Sequence, residues 1–228
     1  TFNWTFNNLT PSVGITSTTS GVSDGSTTND TSIALTFTIS EASSDFVKDN
    51  IAVTNGSLTA LTKVNNTEYT STFTPTGQGA CSILVPVGAF TNVVGNSNSA
   101  SNTFNWTFDT TRPTMAITAT KPDGSTNVSS GSTTNDGYLL LTFTSNKATT
   151  DFAVGDITVS SGSITNFTPT SPTVYTAKFT PSSAGTYTFD VADSKFTDAY
   201  GNNNLSAPQF SWTYDNVGPT MTIASTTS

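Results

Sequence analysis

The strongest constraint on this chain is that most of it is written twice. The stretch GSTTND at 25–30 returns unchanged at 131–136, an offset of 106. The same offset carries Phe46 onto Phe152, Tyr69 onto Tyr175, FTP at 73–75 onto 179–181, Trp106 onto Trp212 and Pro113 onto Pro219. Nearer the start the offset is 102, and a four-residue insertion in TKPDGSTN accounts for the change. Repetition on this scale gives two copies of a unit of about 105 residues, each of ordinary domain size.

Within each copy the period of the apolar residues is two. IALTFTIS places Ile33, Leu35, Phe37 and Ile39 on one face and Thr36 and Thr38 on the other. YLLLTFTS repeats the pattern with Leu139, Leu141 and Phe143, and Cys81, Ile83 and Val85 are matched by Tyr187, Phe189 and Val191. Alternation of this kind makes half-buried strands. Asn55-Gly56 reads as a hairpin turn, and Gly/Asn/Ser clusters separate the other runs. No segment has useful helical periodicity. About seven short strands per copy predict an all-β chain of two tandem antiparallel β-sandwiches with Greek-key connections.

The two tips are further, partial copies. TFNWTF at 1–6 is identical to 103–108, the last strand of the first copy, and QFSWTY at 209–214 is a looser version. PTMTIASTTS at 219–228 resembles the first strand of a copy at 113–120. The expected division is therefore 1–8, a terminal strand of a preceding repeat or a donor strand; 9–109, domain 1; 110–215, domain 2; and 216–228, the first strand of a following repeat. With Thr at position 1 and no signal peptide, the sequence is expected to be a processed or excised piece. Exposing Phe2, Trp4 and Phe6 would leave apolar surface in water worth on the order of 10 kcal/mol, an upper bound. The tips are thus expected to have partners. Two arrangements supply them: a longer covalent array, or donor-strand exchange between subunits. Against exchange, each copy already owns all its strands.

Composition excludes most chemistry. Thr and Ser together make 80 of 228 residues, Asn another 21, and the net charge is −8. No basic run exists to meet nucleic acid or an anionic membrane, and no stretch has the ~18 apolar residues of a membrane span. Without histidine there is no Ser-His-Asp or Cys-His site. Glu41 and Glu68, the two glutamates, have Lys147 and Val174 as counterparts, which reads as unmatched surface positions and not as a glycosidase pair. TGQGA lacks the Lys and helix of a phosphate loop. Cys81 stands where Tyr187 stands and reads as a small buried hydrophobe.

The run DITVSSGSITNFTPTSPTVYTAKFTPSSAGTYTFDV, followed by FTDAYGN and FSWTYD, resembles the bacterial Ig-like repeats of very large surface adhesins and extracellular fibres. VPVGAFTNVVGN and FDTTRPTMAIT of the first copy fit the same pattern, so the likeness covers essentially the whole chain. It implies an Ig-like fold for both sandwiches and an extracellular or cell-surface stalk, not an enzyme, linked end to end with identical or neighbouring repeats. It also implies calcium as a stiffener. Asp109 of DTTRP and Asp215 of DNVGP lie where two repeats meet and can supply carboxylate oxygens to a bridging calcium, although Asp followed by Pro also simply makes a turn. At the corresponding NNLTP, Asn7 replaces the acid. Nine Asn-x-Ser/Thr sequons are no more than composition predicts; Asn29, Asn65, Asn127 and Asn204, in expected loops, are the candidates to carry glycans, against the plainer reading of solvated polar side chains. The competing function is a module that binds carbohydrate or protein through its loops, for which Tyr200 in DAYGN is the aromatic to watch; Trp4, Trp106 and Trp212, at equivalent strand positions, read as core.

Overall fold

The computed structural model describes residues 1–3 and 6–226. Trp4, expected at the centre of the first tip strand, lies outside the described residues. The chain divides into two compact units, Thr1–Thr110 and Thr111–Ser228, each built around its own apolar core.

The first module contains β1 (Val13–Ser17), β2 (Ser26–Thr28), β3 (Ile33–Ile39), β4 (Ala52–Thr54), β5 (Gly56–Leu58), β6 (Thr62–Lys63), β7 (Glu68–Pro75), β8 (Gly79–Leu84) and β9 (Phe104–Phe108). One sheet runs β1-β3-β7-β5, with β6 also on β7; the other runs β2-β9-β8-β4. The second module contains β10 (Met115–Thr120), β11 (Asn127–Val128), β12 (Ser132–Thr134), β13 (Leu139–Ser145), β14 (Ile157–Val159), β15 (Ser163–Ser171), β16 (Val174–Thr180), β17 (Gly185–Val191) and β18 (Phe210–Tyr214). Its sheets are β11-β10-β13-β16-β15 and β12-β18-β17-β14. All pairings are antiparallel except β2 on β9 and β12 on β18, where the chain crosses from one sheet to the edge of the other and runs parallel to the last strand.

The alternating residues do what their period requires. Ile33, Leu35, Phe37 and Ile39 are buried between the sheets of the first module, and Leu139, Leu141 and Phe143 between those of the second. Trp106 and Trp212 occupy equivalent central places; Phe73 meets Trp106 edge-on at 4.5 Å, and Phe179 meets Trp212 edge-on at 6.1 Å. Cys81 is buried, as its alternation predicts.

One expectation needs correction. Asn55-Gly56 is not a hairpin: β4 pairs with β8 in one sheet and β5 with β7 in the other, so this dipeptide is the corner where the chain changes sheets. Asn55 takes a left-handed φ of 56°, and Gly56 passes so close to the facing strand that a Cβ there would sit 2.1 Å from the Phe73 ring. The tips, expected as strands, form none among the described residues of 1–8 and 216–226. Phe2 and Ile223 are each 91% exposed, Met221 86% and Phe6 71%. Within the chain their places are taken, with β9 and β18 in the last-strand position of each sandwich and β1 and β10 in the first.

Candidate functional site

The feature that distinguishes these modules chemically is the pole where the chain comes in, built from the loop before the last strand. Each module carries the same scaffold there. Asp45 accepts hydrogen bonds from the Thr91 amide at 3.0 Å, the Thr91 hydroxyl at 2.9 Å and the Ser43 hydroxyl at 2.7 Å. Asp151 does the same with Thr197 and Thr149. Burial raises both carboxyls, but these donors outweigh it and hold them below the usual carboxylate value. In the turn that follows, Asn92 Oδ1 accepts the amides of Val94 and Asn96, and Asp198 Oδ1 accepts those of Tyr200 and Asn202. Asn98 and Asn204 finish the loop as buried carboxamides whose oxygen and nitrogen are both engaged by backbone.

Onto this scaffold the incoming segment is tied by different side chains in the two modules. In the first, Asn92 Nδ2 donates to Leu9 O at 3.4 Å and to Glu41 Oε2, Glu41 Oε1 accepts from Asn7 Nδ2 at 3.3 Å, and Asn96 Nδ2 donates to Asn7 O at 3.0 Å. In the second, Lys147 stands in place of Glu41 and Asp198 in place of Asn92. The Lys147 ammonium donates to Thr111 O at 2.6 Å and pairs with Asp198 at 2.9 Å. Thr111 O and Leu9 O are the same carbonyl in the two copies, satisfied by an ammonium in one and a carboxamide in the other. Burial raises the Asp198 carboxyl, yet the Asn202 and Lys147 donors bring it below its ordinary value. Arg112 adds a second clamp, donating to Asn203 O at 2.9 Å and Asn204 O at 2.5 Å and pairing with Asp193 at 2.5 Å. The arrangement is fit to hold a backbone in place; its polar groups are consumed by one another.

The profile of the family described as "Bacterial Ig-like domain" matches residues 7–108 and again 109–214. The chain belongs to that family. Among curated proteins none matches it. Similar solved structures include FdeC, an Escherichia coli adhesin, at 15% identity over 88% of this chain and 63% of that one, with a TM-score of 0.44. They also include invasin, a bacterial integrin-binding protein, at 16% identity over 89% and 40%, TM-score 0.46, and the D00-D0 domain of intimin, at 12% over 90% and 100%, TM-score 0.39. The chain thus spans less than two thirds of the FdeC and invasin chains, and no residue role or partner is carried over from any of them.

The Ig-like scaffold places the anticipated site residues as follows. Asp109 is half-buried at the end of β9, its amide donating to Thr28 O at 3.0 Å. Asp215 is exposed after β18, and its carboxylate accepts the Val217 amide at 2.9 Å. Among the described residues no group of three or more His, Cys, Asp or Glu side chains converges to hold a metal ion. Asn65 and Asn127 are exposed and Asn29 is half-buried. Asn204 requires a correction: it is fully buried, with its amide nitrogen donating to Ala192 O and Leu205 O at 2.8 Å each, so the folded Ig-like module offers no room for a glycan there. Tyr200 is 41% exposed on its turn. Sequence reasoning missed the anchors, taking Glu41 and Lys147 for idle surface positions. Their signal lay in two changes at once: Glu41 to Lys147 accompanies Asn92 to Asp198, an exchange that keeps a donor facing an acceptor.

Proposed function

We propose that this chain is a non-catalytic segment of a bacterial surface or extracellular protein, in which tandem Ig-like modules act as load-bearing spacers of an adhesin stalk or fibre. The observation that carries the reading is the tie on the incoming chain. Both modules hydrogen-bond the same carbonyl, Leu9 O or Thr111 O, to the pole, with a neutral carboxamide as donor in one and a charged ammonium in the other. A spacer under tension needs its connecting segment fixed to the module that follows, and selection for that fixing, not for a particular side chain, leaves such a pattern. Family membership in two tandem copies supports the same reading.

At the second module's pole Lys147 and Arg112 neutralise Asp198 and Asp193. Pulling the chain by its two ends tests the proposal. Two discrete unfolding events are expected, each releasing on the order of 350 Å of extended chain. Extension without discrete events would overturn it. Electron micrographs at rising concentration separate the two ways of linking: end-to-end filaments of residues 1–228 alone support strand exchange, and discrete particles at every concentration support a covalent array.

A further inference from the structure

The outer, solvent-facing side of the five-stranded sheet is unlike in the two modules, and the difference builds a groove. In the first module this face carries short side chains: Ser32, Ala34, Thr36, Thr70 and Thr72. At the same places the second module carries Tyr138, Leu140, Thr142, Thr176 and Lys178, with Leu140 opposite Lys178 and Thr142 opposite Thr176 across β13 and β16. Two walls rise beside them. One is the β10–β11 hairpin, which carries the four-residue insertion. It is closed by the Lys121 amide on Thr126 O at 2.8 Å and by the Asp123 carboxylate, which accepts the amides of Ser125 and Thr126. A Cβ at position 124 would lie 3.9 Å from Leu140 Cδ1, so this hairpin leans over the floor. The other wall is the bulge of β15, where Asn166 takes a φ of 53° in place of Ala60. Between the walls lies a groove of about 630 Å³, within the range of small-molecule sites.

The chemistry of its lining selects the ligand. Tyr138 and Leu140 offer a flat apolar strip, and Thr142, Thr176 and Asn166 offer hydroxyl and amide groups that both donate and accept. The Lys178 ammonium sits over the Tyr138 ring, 4.1 Å from its centroid, and forms no ion pair among the described residues. In a chain with 7 cationic and 15 acidic side chains, that ammonium is a local reversal of the prevailing field. An extended peptide would need backbone partners, and here the central strands β13 and β16 are paired on both sides. One uncompensated cation is too little for a nucleic acid. Apolar strip, neutral hydroxyl and amide groups and a single ammonium in the lining together match sugar rings bearing a carboxylate.

We propose that the groove on the outer face of the second module, floored by Tyr138, Leu140, Thr176 and Lys178, binds an acidic oligosaccharide. The site lies wholly within one module and stands whether or not the modules form a stalk. The test is a panel of uronate oligomers and sialosides, each against its methyl-esterified form, titrated into the whole chain and followed by amide NMR shifts. At least one carboxylated member is expected to saturate one site with shifts at Leu140, Thr176 and Lys178, and to weaken tenfold or more on esterification. Lys178→Thr and Tyr138→Ser install the first module's residues at those places, so folding is preserved; each should lower affinity at least tenfold with tryptophan emission unchanged. No saturation by any carboxylated glycan, esters that bind equally well, shifts that map elsewhere, or Lys178→Thr binding as tightly as the parent would each overturn the assignment.

Discussion

The two modules share a fold, a core and a pole, yet they satisfy the same backbone carbonyl with donors of different charge. The Asn92 carboxamide, which also donates to Glu41, does it in the first module, and the Lys147 ammonium, paired with Asp198, in the second. A carbonyl constrains its surroundings through what it must not lack, a donor, and leaves open which donor it takes. The same lesson appears at the centre of each core. Trp212 Nε1 donates to Thr134 Oγ1 at 3.0 Å, whereas Trp106 Nε1 is buried with no acceptor. The surroundings of the two threonines differ as well. In the second module Lys121 pairs with Asp136 at 3.5 Å; in the first, where Thr19 replaces that lysine, the Thr28 hydroxyl donates to Asp30 at 2.5 Å.

Where the two modules agree, they should break alike and hardest. At the sheet-changing corner a Cβ at Gly56 would sit 2.1 Å from Phe73 Cζ and 2.7 Å from Thr74 O, and one at Gly162 would lie 2.7 Å from both the Phe179 ring and Thr180 O, with a φ of 85° besides. Since the obstacle includes backbone, Gly56→Ala and Gly162→Ala are each expected to cost about 3 kcal/mol or more of the module that carries them. Module-resolved hydrogen exchange measures this; losses under 1 kcal/mol would show that the corner relaxes freely.

The next effect targets the exchanged anchors. Asn92→Asp removes the donor to Leu9 O and sets a carboxylate against Glu41, with an expected loss of about 2–4 kcal/mol from the first module. Adding Glu41→Lys recreates the second module's pair and should recover at least half of it. If the double variant is no better than the single, the two arrangements are not interchangeable and the comparison fails.

How far all this was legible follows from where the physics is local. Alternation in IALTFTIS and YLLLTFTS placed the core strands, because a strand buried on one face must alternate. The 106-residue offset placed Trp106 and Trp212 at equivalent positions in the two cores. Asn55-Gly56 misled because the backbone conformation that makes a hairpin turn also makes a corner between sheets, and only the pairing of β5 with β7 decides between them. Asn204 misled because a sequon is read from three residues, while its burial depends on Ala192, twelve residues earlier. Asp109 and Asp215 drew attention as acids beside a proline. The groups that tie the chain at the second pole, Lys147 and Arg112, reach across 51 and 81 residues to their acids, separations at which no spacing rule operates.

The tryptophan pair gives a smaller, signed effect. Thr134→Val strips the acceptor from a buried indole and should cost the second module about 1–2 kcal/mol. Thr28→Val, the equivalent change in the first module, takes no acceptor from Trp106 and should cost less. Equal losses in the two variants would mean that the indole partner is immaterial.

The smallest effect separates the modules by pH at one pair of equivalent residues. Tyr187 Oη lies 3.4 Å from the Ser182 hydroxyl, accepts the amides of Ser182 at 3.1 Å and Ser183 at 3.0 Å, and donates to Ser183 O at 2.6 Å. With the Ser182 hydroxyl as the leading cause, and against its burial, the phenol is lowered from 10.0 to about 8. Cys81, at the same place in the first module, is pushed above its ordinary 9.0 by burial. A lowered value in the folded state contributes stability that is present above pH 10 and lost as pH falls through 8, so the second module should firm between pH 8 and 10. A raised value contributes stability that is present below pH 9 and lost as pH rises through the folded value, so the first module should soften over the upper part of that window. Tyr69 and Tyr175, both raised by burial, occur once in each module and do not distinguish them. Absorbance at 295 nm should show one of the six tyrosines ionising near pH 8 and lose that step in Tyr187→Phe, while the Cys81 thiol stays inert to alkylation in the folded chain. Parallel pH slopes in the two modules would mean that the amide pair at Ser182 and Ser183 does not stabilise the phenolate, and that position 187 differs from position 81 in size alone.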